Sequence, residues 1–339
     1  MLVLRQPDIL ELLHSLSAPQ VLHLQQSLLK TLTQHSALPS ETRHALQPAR
    51  SHLTSSAGTT LLMPASTPTS TVVKTVTLPS SGGPAIGTLT ISSPLGITIG
   101  LLNAEEVTAF RTALVALILF IRHPWKADGN VVIFGAGKIV EWHLRLLLLL
   151  APEKVASLAL INRSLAGLER LAEVIYTLRK QHPEVDFQLV AKDQEDEYDE
   201  IIEEALAESD AIFCCTPSTE PLFPHKYLGK GRPRYISLIG SYKPHMQEIT
   251  KETLLSADRI CVDSRDACLD EAGELIMAGI KGDRITELGE IGEENGCLSI
   301  ENKAVVFKCV GMGIMDAVVG RELLNIAHLR GLGIEISEF

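Results

Sequence analysis

Asn130-Val131-Val132-Ile133-Phe134-Gly135-Ala136-Gly137-Lys138-Ile139-Val140 is an apolar run that ends in Gly-x-Gly, and a helix-like segment follows it directly. Buried parallel strands have this continuous Val/Ile/Phe pattern. The first glycine permits a tight turn, and the second lets the backbone approach a pyrophosphate at the helix N-terminus. Because a Gly-x-Gly alone is a common turn, the prediction of a dinucleotide site depends on its position between strand and helix.

A second apolar run, Leu158-Ala159-Leu160-Ile161, ends in Asn162-Arg163-Ser164. An acidic residue at this strand end would accept a hydrogen bond from the ribose 2′-hydroxyl of NAD, whereas these residues offer donors and a positive charge that suit a 2′-phosphate. The sequence therefore favours NADP(H), with NAD(H) as the alternative. An ordinary surface arginine after a strand is the competing interpretation of Arg163.

Strands and helices alternate after residue 130. We predict strands at 131–134, 157–161, 187–190, 211–215, 235–239 and 259–262, with helices at 138–150 and 166–180. This alternation predicts an α/β fold with a Rossmann-type, doubly wound parallel sheet.

The first 121 residues have a different pattern. We predict helices within 7–34, strands at 71–78, 86–91 and 97–102, and an apolar helix at 105–121; residues 51–70 are interpreted as strand edges and loops. Gly/Pro/Ser clusters between the strands are typical of an antiparallel meander. A predicted strand at 303–310 and a helix at 314–327 close the chain, and the sequence alone leaves open whether they return to this first domain.

Composition restricts the class of protein. The 339 residues are 45% hydrophobic, which is enough for two cores, and the net charge of -11 disfavours a nucleic-acid-binding protein. The six cysteines form no Cys-x-x-Cys pair, the N-terminus does not resemble a signal peptide, and the apolar runs are short for a bilayer. We therefore expect a cytoplasmic protein with small-molecule ligands, no nucleic-acid or membrane partner and no metal site.

Three cations lie in apolar surroundings in the first domain. Arg50 follows Gln47-Pro48-Ala49, Lys74 interrupts a β-rich run, and Arg111 lies on the apolar helix. A charge in such a setting needs a partner, and a substrate carboxylate could serve all three. For each cation singly, a surface or snorkelling side chain is an equally good interpretation.

These residues resemble the ornithine cyclodeaminase/mu-crystallin family, and the resemblance extends over nearly the whole chain. The matching stretches include Gln47-Pro48-Ala49-Arg50, Leu62-Met63-Pro64-Ala65, Lys74-Thr75-Val76, Thr108-Ala109-Phe110-Arg111-Thr112-Ala113, Gly135-Ala136-Gly137, Asn162-Arg163-Ser164, Ile239-Gly240-Ser241-Tyr242-Lys243-Pro244 and Val306-Phe307-Lys308-Cys309-Val310-Gly311-Met312. The resemblance implies a homodimer. It also implies a split substrate and dimerisation domain at 1–121, completed by 305–339, with an NADP(H)-binding domain at 122–304.

The resemblance also implies roles for individual residues. Arg50, Lys74 and Arg111 would surround the substrate carboxylate, with Leu61 and Met63 beside the substrate. Lys74, Arg111, Tyr242 and Asp316 are the predicted catalytic residues. The predicted cofactor-binding residues are Arg111, Thr112, Gly135, Ala136, Gly137, Lys138, Ile139, Asn162, Arg163, Ser164, Cys215, Thr216, Ile239, Gly240, Cys309 and Gly311.

Three positions depart from the family pattern. Leu61 stands where cyclodeaminases carry a glutamate thought to handle water, and Tyr242 stands where they carry an aspartate for the substrate's side-chain amine. Ile139 replaces a usual glutamine, so part of the ribose or phosphate hydrogen bonding is in doubt. Deaminating cyclisation needs placed acid/base groups, whereas reduction of a preformed C=N bond needs fewer.

The sequence therefore favours an NADPH-dependent reductase of cyclic ketimine carboxylates such as 1-pyrroline-2-carboxylate or 1-piperideine-2-carboxylate. Two alternatives stay open at this point. One is an ornithine cyclodeaminase that uses substitute acids, and the other is a non-catalytic NADP(H)-dependent ligand-binding protein.

Overall fold

A computed structural model describes residues 1–37, 45–81, 83, 85–122, 128–229, 231–291 and 304–337. The chain divides into two compact units. The first consists of Met1–Arg111 and Gly311–Phe339, and the second of Thr112–Val310. The division between the units falls inside the helix that we predicted at 105–121. Of the six cysteines, Cys297 lies outside the described residues.

The first unit begins with a short strand and two helices and continues as an antiparallel meander. Its elements are β1 (Leu2–Leu4), α1 (Gln6–His14), α2 (Ala18–Ala37), β2 (Ser51–Ser55), β3 (Gly58–Thr67), β4 (Ser70–Pro79), β5 (Ile86–Ser92), β6 (Thr98–Asn103) and α3 (Ala104–Arg122), the last of which continues into the second unit. The chain returns to this unit with α11 (Gly313–Arg330) and β15 (Ile334–Glu335).

Within the described residues, the sheet of the first unit has the strand order β15-β1-β6-β5-β4-β3-β2. Strands β3 and β4 pair antiparallel over ten positions, with Met63 opposite Lys74. Helix α11 packs on β3, β4 and β5 and on α2. Helix α11 thereby covers a sheet whose described strands, except β15, all come from the N-terminal part of the chain.

The second unit consists of strands that alternate with helices. Its elements are β7 (Gly129–Phe134), α4 (Lys138–Leu150), β8 (Val155–Asn162), α5 (Leu165–Glu169), α6 (Ala172–Gln181), β9 (Asp186–Ala191), α7 (Tyr198–Ala207), β10 (Ala211–Cys214), β11 (Tyr235–Leu238), α8 (Lys251–Leu255), β12 (Arg259–Val262), α9 (Arg265–Glu271), α10 (Gly273–Ala278), β13 (Ile285–Glu287) and β14 (Val305–Lys308).

The described strands of this unit form one parallel sheet in the order β13-β12-β14-β11-β10-β7-β8-β9. The chain runs outward from β7 through β8 to β9, then crosses back to β10 on the other side of β7. In sheets of this type, ligands bind outside the carboxyl ends of the strands at the point of reversal. The prediction of an α/β fold with a doubly wound parallel sheet is confirmed.

Two element predictions need correction. The predicted helix at 166–180 is two helices, α5 and α6, that are interrupted near Arg170. The segment at 51–70 contains the whole hairpin of β2 and β3 rather than strand edges and loops. Its Ser and Thr residues favoured a loop, but threonine is also a good strand residue when one face of the sheet is exposed.

No helix within these described ranges combines the length and apolar character needed to cross a bilayer.

Candidate functional site

Lys74 and Arg111 converge on the carboxylate of Asp316 in the first unit. Lys74 Nζ lies 3.1 and 3.2 Å from the two Asp316 oxygens, and Arg111 Nε lies 3.2 Å from Oδ1. All three side chains are buried, with 2%, 4% and 1% exposure respectively. The sequence predicted each of the three separately, and the structure brings them together from β4, α3 and α11.

The local patterns explain how the cluster is buried. Along β4, Ser70, Val72 and Lys74 alternate with exposed residues, so Lys74 occupies the covered face of the sheet. Asp316 lies in the first turn of α11, where the helix dipole stabilises a negative charge.

Arg50 and Gly311 complete this group. Arg50 Nη2 donates to the Gly311 carbonyl at 3.2 Å. Gly311 has φ +86°, and a Cβ there would lie 3.0 Å from both terminal nitrogens of Arg111. The glycine therefore permits both the turn before α11 and the approach of the guanidinium. Gly311, which was predicted to bind cofactor, lies beside the cations of the first unit.

The electrostatics of the cluster favour an added anion. Burial lowers the pKa of Lys74 from 10.5 to about 8; Asp316 opposes this shift, and Arg111 and Arg50 reinforce it. An incoming carboxylate would offset the repulsion among these cations. Arginine can hold such a group with two parallel hydrogen bonds, and lysine can supply a charge or a proton.

Leu61 and Met63 form an apolar wall on β3. Met63 pairs with Lys74 across the sheet, and Leu61 lies two residues away on the same face. Both side chains are buried, with 8% and 4% exposure. The face of β3 next to Lys74 therefore carries hydrocarbon rather than a carboxylate.

In the second unit, the Gly-x-Gly turn has the geometry that a pyrophosphate requires. Gly135 has φ +116°, and a Cβ there would lie 3.1 Å from the Cys215 carbonyl oxygen. Gly137 is the N-cap of α4, has no side-chain cap, and has open space where a Cβ would be. The first backbone N–H groups of α4 thus remain available to an anion.

The residues around this turn are partly committed to other contacts. Lys138 is half-exposed, and its ammonium lies 3.5 Å from Glu141 Oε2. The Ile139 carbonyl contacts His143 Nδ1 at 2.7 Å. Val140, where a third small residue is usual, is fully buried, and its side chain would lie 3.3 Å from a Cβ on Gly135.

A cavity of about 490 Å³ lies at the carboxyl ends of β7, β8 and β10. Asn162 and Arg163 line it, together with Thr216 and Lys192. Asn162 Nδ2 donates to the Ser164 carbonyl at 2.8 Å, which shapes the loop, while Arg163 is exposed. Lys192 was missed by the sequence analysis, although its place directly after β9 was a usable signal. These donors, cations and open backbone fit a dinucleotide.

The loops after β10 and β11 meet beside this cavity. A Cβ on Gly240 would lie 1.9 Å from the Thr216 carbonyl oxygen, so the two loops touch through their backbones. Cys215 lies 4.0 Å from His143 Nδ1, and burial raises the pKa of its thiol. Ile239 is buried at the end of β11.

Thr112, Cys309 and Tyr242 are the other predicted residues. Thr112 is buried on α3 next to Arg111. Cys309 donates its thiol to Asp263 Oδ2 at 3.2 Å, which is an internal contact of the second unit. Tyr242 also belongs to the second unit; the Lys243 ammonium lies 5.5 Å from its ring centre, and burial raises the pKa of its hydroxyl.

The model of the ornithine cyclodeaminase/mu-crystallin family matches residues 20–327. The chain belongs to the ornithine cyclodeaminase/mu-crystallin family.

Curated relatives within this group include reductases of C=N bonds. The chain is 36% identical over 140 residues to the delta(1)-pyrroline-2-carboxylate reductase of Bacillus cereus, an alignment that covers 39% of this chain and 42% of the relative. It is 25% identical over 228 residues to the ketimine reductase mu-crystallin of Rattus norvegicus, covering 67% and 64%. The chain thus spans less than half of the first of these relatives.

Solved structures share the fold over the full length. The delta(1)-pyrroline-2-carboxylate reductase of Thermococcus litoralis, in complex with NADH and L-proline, has a TM-score of 0.79 at 21% identity and covers 99% of this chain and 100% of its own. The iminosuccinate reductase of Paracoccus denitrificans, in complex with NAD⁺, has a TM-score of 0.80 at 19% identity, with 100% and 99% coverage.

Proposed function

We propose that the protein is an NAD(P)H-dependent reductase of cyclic ketimine carboxylates, such as 1-pyrroline-2-carboxylate or 1-piperideine-2-carboxylate. The observation that carries the proposal is the buried group of Lys74, Arg111 and Asp316, with Arg50 nearby and the apolar Leu61 and Met63 on the adjoining strand. This combination binds a carboxylate next to an apolar ring. The names of the similar reductases support the same reaction class.

The bound nicotinamide would supply a hydride to the imine carbon, with a proton retained on nitrogen to give the cyclic amine. The chain's own groups bind and orient the substrate. Arg50 and Arg111 hold its carboxylate, and Leu61 and Met63 exclude water from one side of the ring. Lys74 holds a proton at Nζ, and its pKa of about 8 is suited to donate that proton near neutral pH.

We further propose a preference for NADP(H). Arg163 and Lys192 both line the cavity at the end of β8, and the Asn162-Arg163-Ser164 loop contributes no carboxylate that would accept from a ribose 2′-hydroxyl. Similar structures hold NADH or NAD⁺, so the preference is a property to be measured on this chain. Loss of Arg163 should weaken NADPH about tenfold or more and leave NADH unchanged, because a charge-assisted contact contributes about 1.5–3 kcal/mol.

The deciding experiment is a panel of cyclic imine acids, L-ornithine and linear 2-oxo acids with amines, each with NADPH and with NADH. We expect nucleotide oxidation with cyclic imine carboxylates. Ammonia and proline from L-ornithine would instead identify a cyclodeaminase. Tight nucleotide binding with no turnover on any substrate would identify a binding protein.

We also propose that the protein is a cytoplasmic homodimer. Strand β2 is the edge of the first sheet, and all five of its residues are exposed, as an edge strand that pairs with another chain would be. Light scattering on the purified chain measures the oligomeric state directly.

A further inference from the structure

One buried carboxylate joins the loops that follow β10 and β11. Glu248 is fully buried, and its Oε1 accepts from the backbone N–H of Thr216 at 2.8 Å. Its Oε2 accepts from the backbone N–H of Gly240 at 2.8 Å and of Ser241 at 3.3 Å. A single side chain therefore fixes the ends of two neighbouring parallel strands.

The position of these loops gives the contact a functional meaning. The reversal of the strand order places the Gly135 turn between β8, on one side, and β10 and β11, on the other. A dinucleotide with its pyrophosphate at this turn and its adenosine at Asn162–Ser164 extends its other half toward β10 and β11. The backbone contact between Gly240 and Thr216 lies on that path.

Glu248 is itself held by a buried network. Glu274 Oε1 accepts from the Glu248 backbone N–H at 2.9 Å and from the Ser241 hydroxyl, while Lys308 Nζ donates to the Ser241 carbonyl and lies 3.6 Å from Glu274 Oε2. Burial raises the pKa of Glu248 to about 8; Lys308 opposes this shift and Glu274 adds to it. Maintaining such a group in the interior is costly, so a purely space-filling role would be served better by an apolar side chain.

We propose that Glu248 is a positioning residue for the nicotinamide half of the dinucleotide, acting through the Thr216 and Gly240 loops. This inference rests on the proposed function, because it assumes that the second unit binds NAD(P)H. Glu248 does not touch the cofactor in this proposal. It sets the separation of two backbone segments that do.

The test compares two ligands on the Glu248→Gln variant. Glutamine keeps the shape but replaces one acceptor oxygen with an N–H₂ group that opposes a backbone N–H. Titration calorimetry at pH 9, where a Glu248 with a pKa of about 8 is ionised, should show NADPH bound about tenfold or more weakly, as expected for loss of a hydrogen bond to a charged group. Binding of adenosine 2′,5′-bisphosphate, which lacks the nicotinamide half, should stay within about twofold of the wild type.

Glu287→Gln is the matched control. Glu287 is also buried, and it also accepts a backbone N–H, from Arg265 at 2.8 Å, but it ends β13 at the far edge of the sheet. We expect both ligands to bind this variant as they bind the wild type. If the Glu248→Gln protein binds NADPH normally, or loses both ligands equally while the control loses neither, the inference is wrong.

A second variant keeps the inference testable if the Glu248→Gln protein does not fold. Glu248→Asp keeps the charge opposite Lys308 but is one methylene shorter, so it can reach only one of the two loops and should show the same selective loss. In the wild type, the Thr216 and Gly240 amides should exchange slowly with solvent, and fast exchange would overturn the proposal. Failure of the wild type to bind NADPH at all would count against the proposed function instead.

Discussion

At the scale of single residues, the buried charged side chains of the first unit are the basis of the proposed chemistry. The pKa of Lys74 is lowered from 10.5 to about 8 chiefly by burial. Between pH 8 and 10.5 the unfolded chain binds more protons at this site than the folded chain, so this group makes folding more favourable as pH rises through that window. The same rise in pH removes the charge that an anionic substrate needs.

The lowered pKa of Lys74 predicts that substrate binding depends on pH. In the wild type, KM for a cyclic imine carboxylate should rise as pH increases through about 8, because Lys74 loses its proton. Lys74→Arg keeps the charge and should flatten that dependence, whereas Lys74→Met should lower kcat/KM about 10- to 150-fold at pH 7, the equivalent of about 1.5–3 kcal/mol. Steady-state profiles from pH 6 to 10 measure this, and identical profiles for wild type and Lys74→Arg would contradict it.

The sequence indicated individual candidate residues but not the contacts between them. Lys74, Arg111 and Asp316 were each identified, but only the structure shows two cations sharing one carboxylate, because the contact joins residues more than 200 positions apart. Lys192 and Glu248 were missed. A lysine after a strand and a glutamate in a loop are ordinary in sequence, and their meaning comes from the cavity and the loops they reach.

At the scale of elements, periodicity predicted most strands of the second unit but did not predict α7 to α10 or β13. Helix α4 spans Lys138–Leu150 and β12 spans Arg259–Val262, as the pattern predicted. The predictions failed where amino-acid composition and packing favour different structures. The Ser/Thr-rich β3 is a strand because its buried face carries Leu61, Met63 and Ala65. The break between α5 and α6, at Arg170 and Leu171, contains no glycine or proline, although Gly167 lies just before it in α5.

Alanine substitutions of the two glycines in the turn between β7 and α4 should have different effects on stability and on NADPH binding. Gly135→Ala places a side chain at φ +116°, which should destabilise the fold by about 1–3 kcal/mol and also weaken NADPH binding. Gly137→Ala meets no neighbour within the protein, so its melting temperature should be unchanged while NADPH binding is lost, because the new methyl group occupies the space of the pyrophosphate. Thermal melts and calorimetry on both variants separate the two effects, and a normal affinity in Gly137→Ala would contradict a phosphate site there.

At the scale of the whole molecule, the chain divides into two units, and each contains one group of residues that we propose as an anion site. The first unit is closed by α11, which brings Asp316 to cations supplied by β4 and α3. The second unit lies between the two segments of the first in the sequence and carries the glycine turn and the cavity at the end of β8. Although the net charge is -11, positive side chains are grouped at two places. Arg50, Lys74 and Arg111 lie together in the first unit, and Arg163 and Lys192 line the cavity of the second.

This division predicts separate patterns of protection from hydrogen exchange. L-proline, the product of the proposed reduction of 1-pyrroline-2-carboxylate, should slow exchange in β4 and in the first turn of α11, because we propose that Lys74, Arg111 and Arg50 bind its carboxylate. Adenosine 2′,5′-bisphosphate should slow exchange in the β7–α4 turn and after β8, and leave β3 and β4 unchanged. Exchange measured by mass spectrometry on the free protein and with each ligand tests both. Protection of β4 by the nucleotide fragment alone would contradict this assignment, since none of the residues proposed to hold that fragment belongs to the first unit.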